Sequence, residues 1–224
     1  SGYTNECLLL TNLLYSKISN TISVDNIKTA EFTKLLENIY RTVNIGLINE
    51  LKKVSDKMQI NIFDAVNAAK TKPFGYQPFY PGPGVGGHCI PVDPFFLTWK
   101  AKKLGIDTKF IKLSGQINDE RPRLITNKLN KFITKIKKLK NINCLIIGIA
   151  YKKNCDDLRL SPALKIINLL KRKKKVRINI LDDEISKKVK SSFKKLNFIK
   201  KIQLNKKTLG QYDFCLIATD HTNV

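Results

Sequence analysis

The chain has 224 residues, 42% of them apolar, enough to bury a sizeable core in one or two globular domains. No apolar run is long enough to span a bilayer and no signal peptide is recognisable, so no membrane partner is expected and a cytoplasmic location is. The net charge of +23, from 41 Lys and Arg against 18 Asp and Glu, raises nucleic-acid binding. However, the lysines gather in KIKKLK, KRKKK and the segment from Lys187 to Lys207 without interleaved aromatics, so the charge reads as compositional bias and no nucleic-acid partner is expected.

In chain order, Glu6–Ser19 carries apolar residues at near-helical spacing and Thr21–Val24 is a short β-like run; both read as the tail of a unit that begins upstream. Asp25 or Asn26 then caps a long amphipathic helix reaching about Met58, with Phe32, Leu35, Leu36, Ile39, Val43, Leu47, Ile48 and Leu51 at three-and-four spacing. Such a helix is long enough to span a small domain or to pair with a second copy of itself. Asn61–Ala69 reads as another helix. A glycine-rich loop follows, then a helix over Phe95–Lys103 and a longer helical region from about Ile111 to Ile136, interrupted near Pro122.

A new unit begins at Asn141. The strand NCLIIGIA, the helix Ala163–Leu170, the strand VRINILD, a helix near Ser186–Leu196, a short run Ile202–Leu204 and the strand Asp213–Ala218 alternate as a small Rossmann-like parallel α/β unit. The expected organisation is therefore residues 1–25 as the remnant of an upstream domain, 26–140 as a central helical domain and 141–224 as an α/β domain, with truncation expected at both ends. Of the five cysteines, Cys144 and Cys215 sit inside apolar runs and read as core; no metal-type cluster is present, so no metal is expected.

The most informative stretch is GPGVGGHCIPVDP, Gly82–Pro94. Its glycines let the backbone take positive φ values and pass close to a ligand. Cys89 follows at the end of the loop, and Asp93–Pro94 read as an N-cap and the first helical residue. A thiol near a helix N-terminus faces backbone N–H groups and the positive end of the helix dipole, the setting in which cysteines become nucleophiles. A small buried cysteine beside a capping Asp is the other reading, and spacing leaves both open. Gly82, Gly84 and Gly87 match G-x-G-x-x-G literally, but Pro81, Pro83 and Pro91 exclude the strand–turn–helix context of a dinucleotide fingerprint.

Two further groupings qualify. Lys34 and Asn38, four apart within AEFTKLLEN, share one helix face: either a cation and an amide aimed together at an oxyanion, or a solvated polar stripe. Glu37 reads as surface. GIAYKKNCDDLRLSP, Gly148–Pro162, occupies the loop at the carboxyl end of the first strand of the α/β unit, where ligands bind in open α/β sheets, and offers Lys152 and Arg159 to phosphates. A solvated charged loop is the alternative. His88 reads as a structural loop residue, and His221, in IATDHTNV, is uninformative alone.

These three motifs, in this order and spacing, resemble the NAD-dependent UDP-sugar 6-dehydrogenases of the UDP-glucose/GDP-mannose dehydrogenase family, and TKPFGYQPFYPGPGVGGHCIPVDPFFLTWKAKKLG is most similar to the UDP-N-acetylglucosamine 6-dehydrogenase branch. The resemblance covers essentially the whole chain. It implies a two-step, four-electron oxidation of the sugar C6 from alcohol through aldehyde to acid, reducing two NAD+, in the service of cell-surface polysaccharide synthesis. It implies Cys89 as the nucleophile that carries a thiohemiacetal and then a thioester, Asp93 as the residue that helps activate the hydrolytic water, and Lys34 with Asn38 as the oxyanion-stabilising pair. Phe79, Tyr80 and Gly86, around the segment Phe74–Val85 that wraps the UDP-sugar, and Lys152 become substrate-binding; Arg159 becomes cofactor-binding. The long helix becomes the homodimer interface.

Departures from the family pattern are equally specific. The NAD-binding domain with its glycine fingerprint, an acid–base glutamate and a water-positioning threonine are expected in a part that these residues do not cover, so an inactive nucleotide-sugar-binding or assembly fragment is the alternative reading. Leu160 stands where an acidic residue is common, and Lys153-Asn154 stand for a usual Pro-Asp.

Overall fold

The computed structural model describes residues 1–135, 141–172, 176–199 and 202–222. Its elements are α1 (Asn5–Tyr15), α2 (Ile27–Lys57), α3 (Ile62–Ala69), α4 (Asp93–Lys103), α5 (Lys109–Lys135), β1 (Ile142–Ile147), α6 (Pro162–Lys171), β2 (Val176–Leu181), α7 (Lys187–Ser192), α8 (Lys206–Leu209) and β3 (Phe214–Ile217). This is the expected helical unit followed by a small parallel sheet.

Of the two caps offered to the long helix, Asp25 and Asn26, it is Asn26, in extended backbone, that accepts the N–H of Thr29 on its side-chain oxygen. The face it buries differs from the one the periodicity marks. Asn38, Thr42, Gly46 and Asn49 recur at helical spacing and are buried, whereas Phe32, Leu36, Leu47 and Leu51 from the apolar stripe are exposed. Small and polar residues go inside because α5 approaches there. A Cβ on Gly46 would stand 3.2 Å from Ser114 Cβ, and Asn118 of α5 donates its Nδ2 to the carbonyl of Thr42 while accepting on Oδ1 from Asn49 Nδ2.

Helix α5 runs through Pro122 without the expected break. Proline removes one helical N–H and leaves the carbonyl four residues earlier, that of Asn118, without its donor. That carbonyl faces Gly84, at φ +134, so closely that a Cβ there would lie 3.0 Å from it. α5 packs on both α2 and α6, so one helix walls both units. The expected helix end at Ile136, the boundary at 140, and parts of the KIKKLK and KRKKK runs lie outside the described residues.

The sheet has order β2-β1-β3, all parallel, with Cys144 opposite Ile178 and Phe214. The central strand β1 is buried on both faces, which is why INCLII carries apolar residues almost continuously. On one face Cys144, Ile146, Ile178 and Ile180 pack with Ile166, Ile167 and Leu170 of α6; on the other Leu145, Ile147 and Leu181 form a smaller cluster.

Four local expectations are corrected. Thr21–Val24 is not a strand, because no partner strand lies beside it among the described residues. Cys215 is exposed rather than core: β3 alternates, with Phe214 and Leu216 on the packed face and Cys215 and Ile217 turned outward. The helix expected to Leu196 stops at Ser192, and α8, capped by Asn205, was not anticipated.

Candidate active site

The glycine loop lies between the two units and owes its shape to them. Gly82 is fixed at both of its peptide groups: its N–H donates to Asn49 Oδ1 at 3.0 Å, and its carbonyl accepts from Arg121 Nε at 3.2 Å. Farther along, a Cβ on Gly86 would stand 2.7 Å from Tyr151 Cβ and 2.9 Å from the carbonyl of Leu160; one on Gly87, at φ +82, would meet the Tyr151 ring at 2.8 Å. The Gly87 N–H then donates to the carbonyl of Arg159 at 2.8 Å. The glycines thus admit close approach of the chain to itself, where the sequence pointed to a ligand.

Cys89, exposed, follows this docked stretch. Its carbonyl accepts the N–H groups of Val92 (3.0 Å) and Asp93 (2.8 Å), a turn that leads directly into α4. The cap of α4 is Val92, not Asp93, and no side chain caps it. Asp93 sits in the first turn instead, with its Oδ2 accepting Asn38 Nδ2 at 2.7 Å. Buried Asn38 also accepts from Arg41 on Oδ1 at 3.2 Å, and Thr42, one turn on, donates to the carbonyl of Ile90 at 3.1 Å. Asn38, Asp93 and the Cys89 turn are therefore one hydrogen-bonded unit joining α2 to α4. Lys34 stays outside it: its ammonium pairs with Glu37 at 3.2 Å on a side chain 63% exposed.

On the other side of the loop stand Lys152 and Arg159, both exposed. Arg159 forks onto Asp157, with Nη2 to Oδ2 at 2.7 Å and Nε to the same oxygen at 2.9 Å. That hydrogen bond holds the Asp157 carboxyl below the usual carboxylate range and raises the Arg159 guanidinium. Cys144 offers the contrast: burial pushes its thiol up to about 12.

Phe79 packs on Ile48, Ile62 and Val66 and meets Tyr40 edge-on, ring centroids 5.8 Å apart. Tyr80 stacks on Phe63 and donates its hydroxyl to Asn67 Oδ1 at 2.8 Å. Tyr80 also lines a cleft of about 750 Å³ between the two units, with Gly82, Pro83, Arg121, Leu216 and Asp220. Cys89 does not line it.

No group of three or more His, Cys, Asp or Glu side chains able to hold a metal ion occurs among the described residues. A dinucleotide would find only part of a site: Arg159 is available, but the literal G-x-G-x-x-G lies in irregular backbone pressed on Tyr151 and not between a strand and a helix.

The sequence reading passed over the buried polar residues Asn49, Asn118 and Arg121 that anchor the loop. On α2 the signal is Asn49 recurring with Asn38, Thr42 and Gly46 at helical spacing, on a face other than the apolar stripe. Asp182, at the end of the strand VRINILD, and His221, uninformative alone in the sequence, are both buried at the carboxyl end of the sheet.

Comparison with known proteins agrees with this geometry. Residues 28–120 match the UDP-glucose/GDP-mannose dehydrogenase family, central domain, and residues 145–224 match the UDP binding domain of the same family. The chain is 40% identical over 154 residues to a UDP-N-acetyl-D-mannosamine dehydrogenase of Methanocaldococcus jannaschii, covering 68% of this chain and 34% of that one. It is 35% identical over 189 residues to a UDP-N-acetyl-D-glucosamine 6-dehydrogenase of Pseudomonas aeruginosa, covering 83% and 44%. Among solved structures, the UDP-N-acetyl-mannosamine dehydrogenase Cap5O from Staphylococcus aureus superposes with a TM-score of 0.75 at 30% identity, over 98% of this chain and 49% of that one. The chain spans between a third and a half of the length of these relatives. No helix among the described residues is long and apolar enough to cross a membrane.

Proposed function

The chain belongs to the UDP-glucose/GDP-mannose dehydrogenase family, and from that premise we propose that it supplies the covalent and nucleotide-sugar-binding part of an enzyme that oxidises C6 of a UDP-N-acetylhexosamine to the uronic acid. The N-acetylhexosamine is chosen because relatives at 40% and 35% identity carry names of that class. The observation that supports the reading most is the bonded unit of Asn38, Asp93 and the turn that carries the exposed Cys89.

In this reading the Cys89 thiolate adds to the C6 aldehyde carbon; a C–S bond forms and the carbonyl π pair moves to oxygen. Asn38 Nδ2 has a second N–H beyond the one given to Asp93, and that donor, with the Lys34 ammonium once released from Glu37, stabilises the oxyanion. NAD+ supplies, when bound, the acceptor for each of the two hydrides that leave carbon; of the present residues Arg159 is assigned to it. In the final step water adds to the thioester carbon while Asp93 accepts its proton, the C–S bond breaks, and the thiolate departs with the electron pair. Lys152, Phe79, Tyr80 and Gly86 are assigned to the UDP-sugar. The exposed apolar stripe of α2 is assigned to a second copy of the chain, and the cytoplasm is the expected setting.

The test is Cys89→Ser in the whole protein, assayed with UDP-N-acetylglucosamine and UDP-N-acetylmannosamine. Loss of acid formation with nucleotide-sugar binding retained is expected. Unchanged acid formation would refute the thioester, and binding without turnover in the unmutated whole protein would favour an inactive binding module.

A further inference from the structure

The loop that carries Lys152 is held from behind by a buried histidine. Between β1 and α6 it exposes Lys152, Lys153, Asn154 and Arg159, so little apolar burial defines its shape and hydrogen bonds must. His221 makes the central one. Its ring is 4% exposed, and its Nδ1 accepts the backbone N–H of Asn154 at 3.0 Å. Because Nδ1 accepts, the proton of the neutral ring belongs on Nε2, an assignment from the network. Nε2 lies 3.4 Å from Asp182 Oδ2, and that same oxygen accepts the N–H groups of Ile149 at 2.6 Å and Ala150 at 3.3 Å. The buried carboxylate therefore grips the beginning of the loop, and the imidazole packed beside it, with no hydrogen bond between the two, grips its middle.

Two more contacts close the clasp. Asn154, at φ +53, exchanges a reciprocal pair of hydrogen bonds with Thr222, Nδ2 to Oγ1 at 2.6 Å and Thr222 N–H to Oδ1 at 2.9 Å. Thr219 Oγ1 donates to the Ala150 carbonyl at 2.6 Å. The ends of all three strands are joined at the side of the sheet where ligands bind in α/β folds. The ring is shut off from solvent.

We infer that His221 is a positioning residue for nucleotide-sugar binding: through Asn154 it sets the backbone that presents Lys152 to the ligand. This rests on the assignment of Lys152 to the UDP-sugar, and the experiment separates the two. Binding of UDP-N-acetylglucosamine to the chain is measured by calorimetry for the unmutated protein, His221→Leu, His221→Asn, Lys152→Ala and the double variant His221→Leu with Lys152→Ala. Asparagine carries an oxygen close to the place of Nδ1 and keeps the acceptor; leucine does not. Expected are affinities about tenfold weaker for His221→Leu and for Lys152→Ala, within about threefold of the original for His221→Asn, and no further loss in the double variant.

Independent, multiplying losses in the double variant, or an asparagine variant as weak as leucine, would overturn the inference. No binding by the unmutated chain, or full binding by Lys152→Ala, would instead overturn the assignment on which it rests. If His221→Leu does not fold, His221→Met, which fills similar space and carries no nitrogen or oxygen acceptor for the Asn154 N–H, takes its place in the same cycle.

Discussion

The two units of this chain bury opposite kinds of residue. Around β1 the interior is Cys144, Ile146, Ile149, Ile166, Ile167, Leu170 and Ile180, a contiguous apolar core. Between α2 and α5 the buried residues are largely Asn38, Thr42, Asn49, Ser114, Asn118 and Thr126, while the compact apolar cluster consists of Ile48, Ile62 and Val66. The α/β unit is held chiefly by removal of hydrocarbon from water, which is non-directional. The helical unit is held by hydrogen bonds that work only in one register, and these same bonds fix Gly82 and the turn of Cys89. Rigid direction where the chemistry is proposed, and bulk cohesion beside it, follow from that division.

Four substitutions sharpen the contrast, in descending order of effect. Ile146→Ala removes three carbons from the apolar core and is expected to cost about 3 to 5 kcal/mol in denaturant unfolding, with little local repair. Asn118→Ala strands Asn49 Nδ2 in the interior, for a loss of about 1 to 3 kcal/mol, and Asn49→Ala added to it should cost only what the Gly82 N–H loses, because the Asn118 partner is already gone. Gly86→Ala drives a methyl onto Tyr151 and the Leu160 carbonyl and is expected to cost about 1 to 2 kcal/mol, read as a lower melting temperature. Leu47→Asp, on the exposed stripe of α2, is expected to change chain stability by less than about 0.5 kcal/mol while abolishing self-association in sedimentation. A large destabilisation there would mean that the stripe is not a surface for a second copy.

Much of this was legible in the residues. Asn26 capped α2, the alternation after Asn141 became a parallel sheet, and Cys89, Asp93 and Asn38 came together. What the pattern hid was physical in origin. The apolar stripe of α2 marked a face but not its partner, and the intrachain face went to Asn38, Thr42, Gly46 and Asn49 because close helix approach needs small or mutually bonded side chains. Pro122 read as a break because the helix was judged alone; α5 continues across it, packed on α2 and α6. Asp93 read as a cap because a carboxylate before Pro is one, until Asn38 arrives from α2, 55 residues away, to claim the oxygen. His221 had no local signal, since its partners, Asn154 and Asp182, lie far off in the chain.

Helix α5 lends one end to each interior. Neither core can lose it without stripping a wall from the other, so the two ought to melt together, as a single calorimetric peak rather than two. A helix shared in this way ties the endurance of the greasy core to that of the polar one.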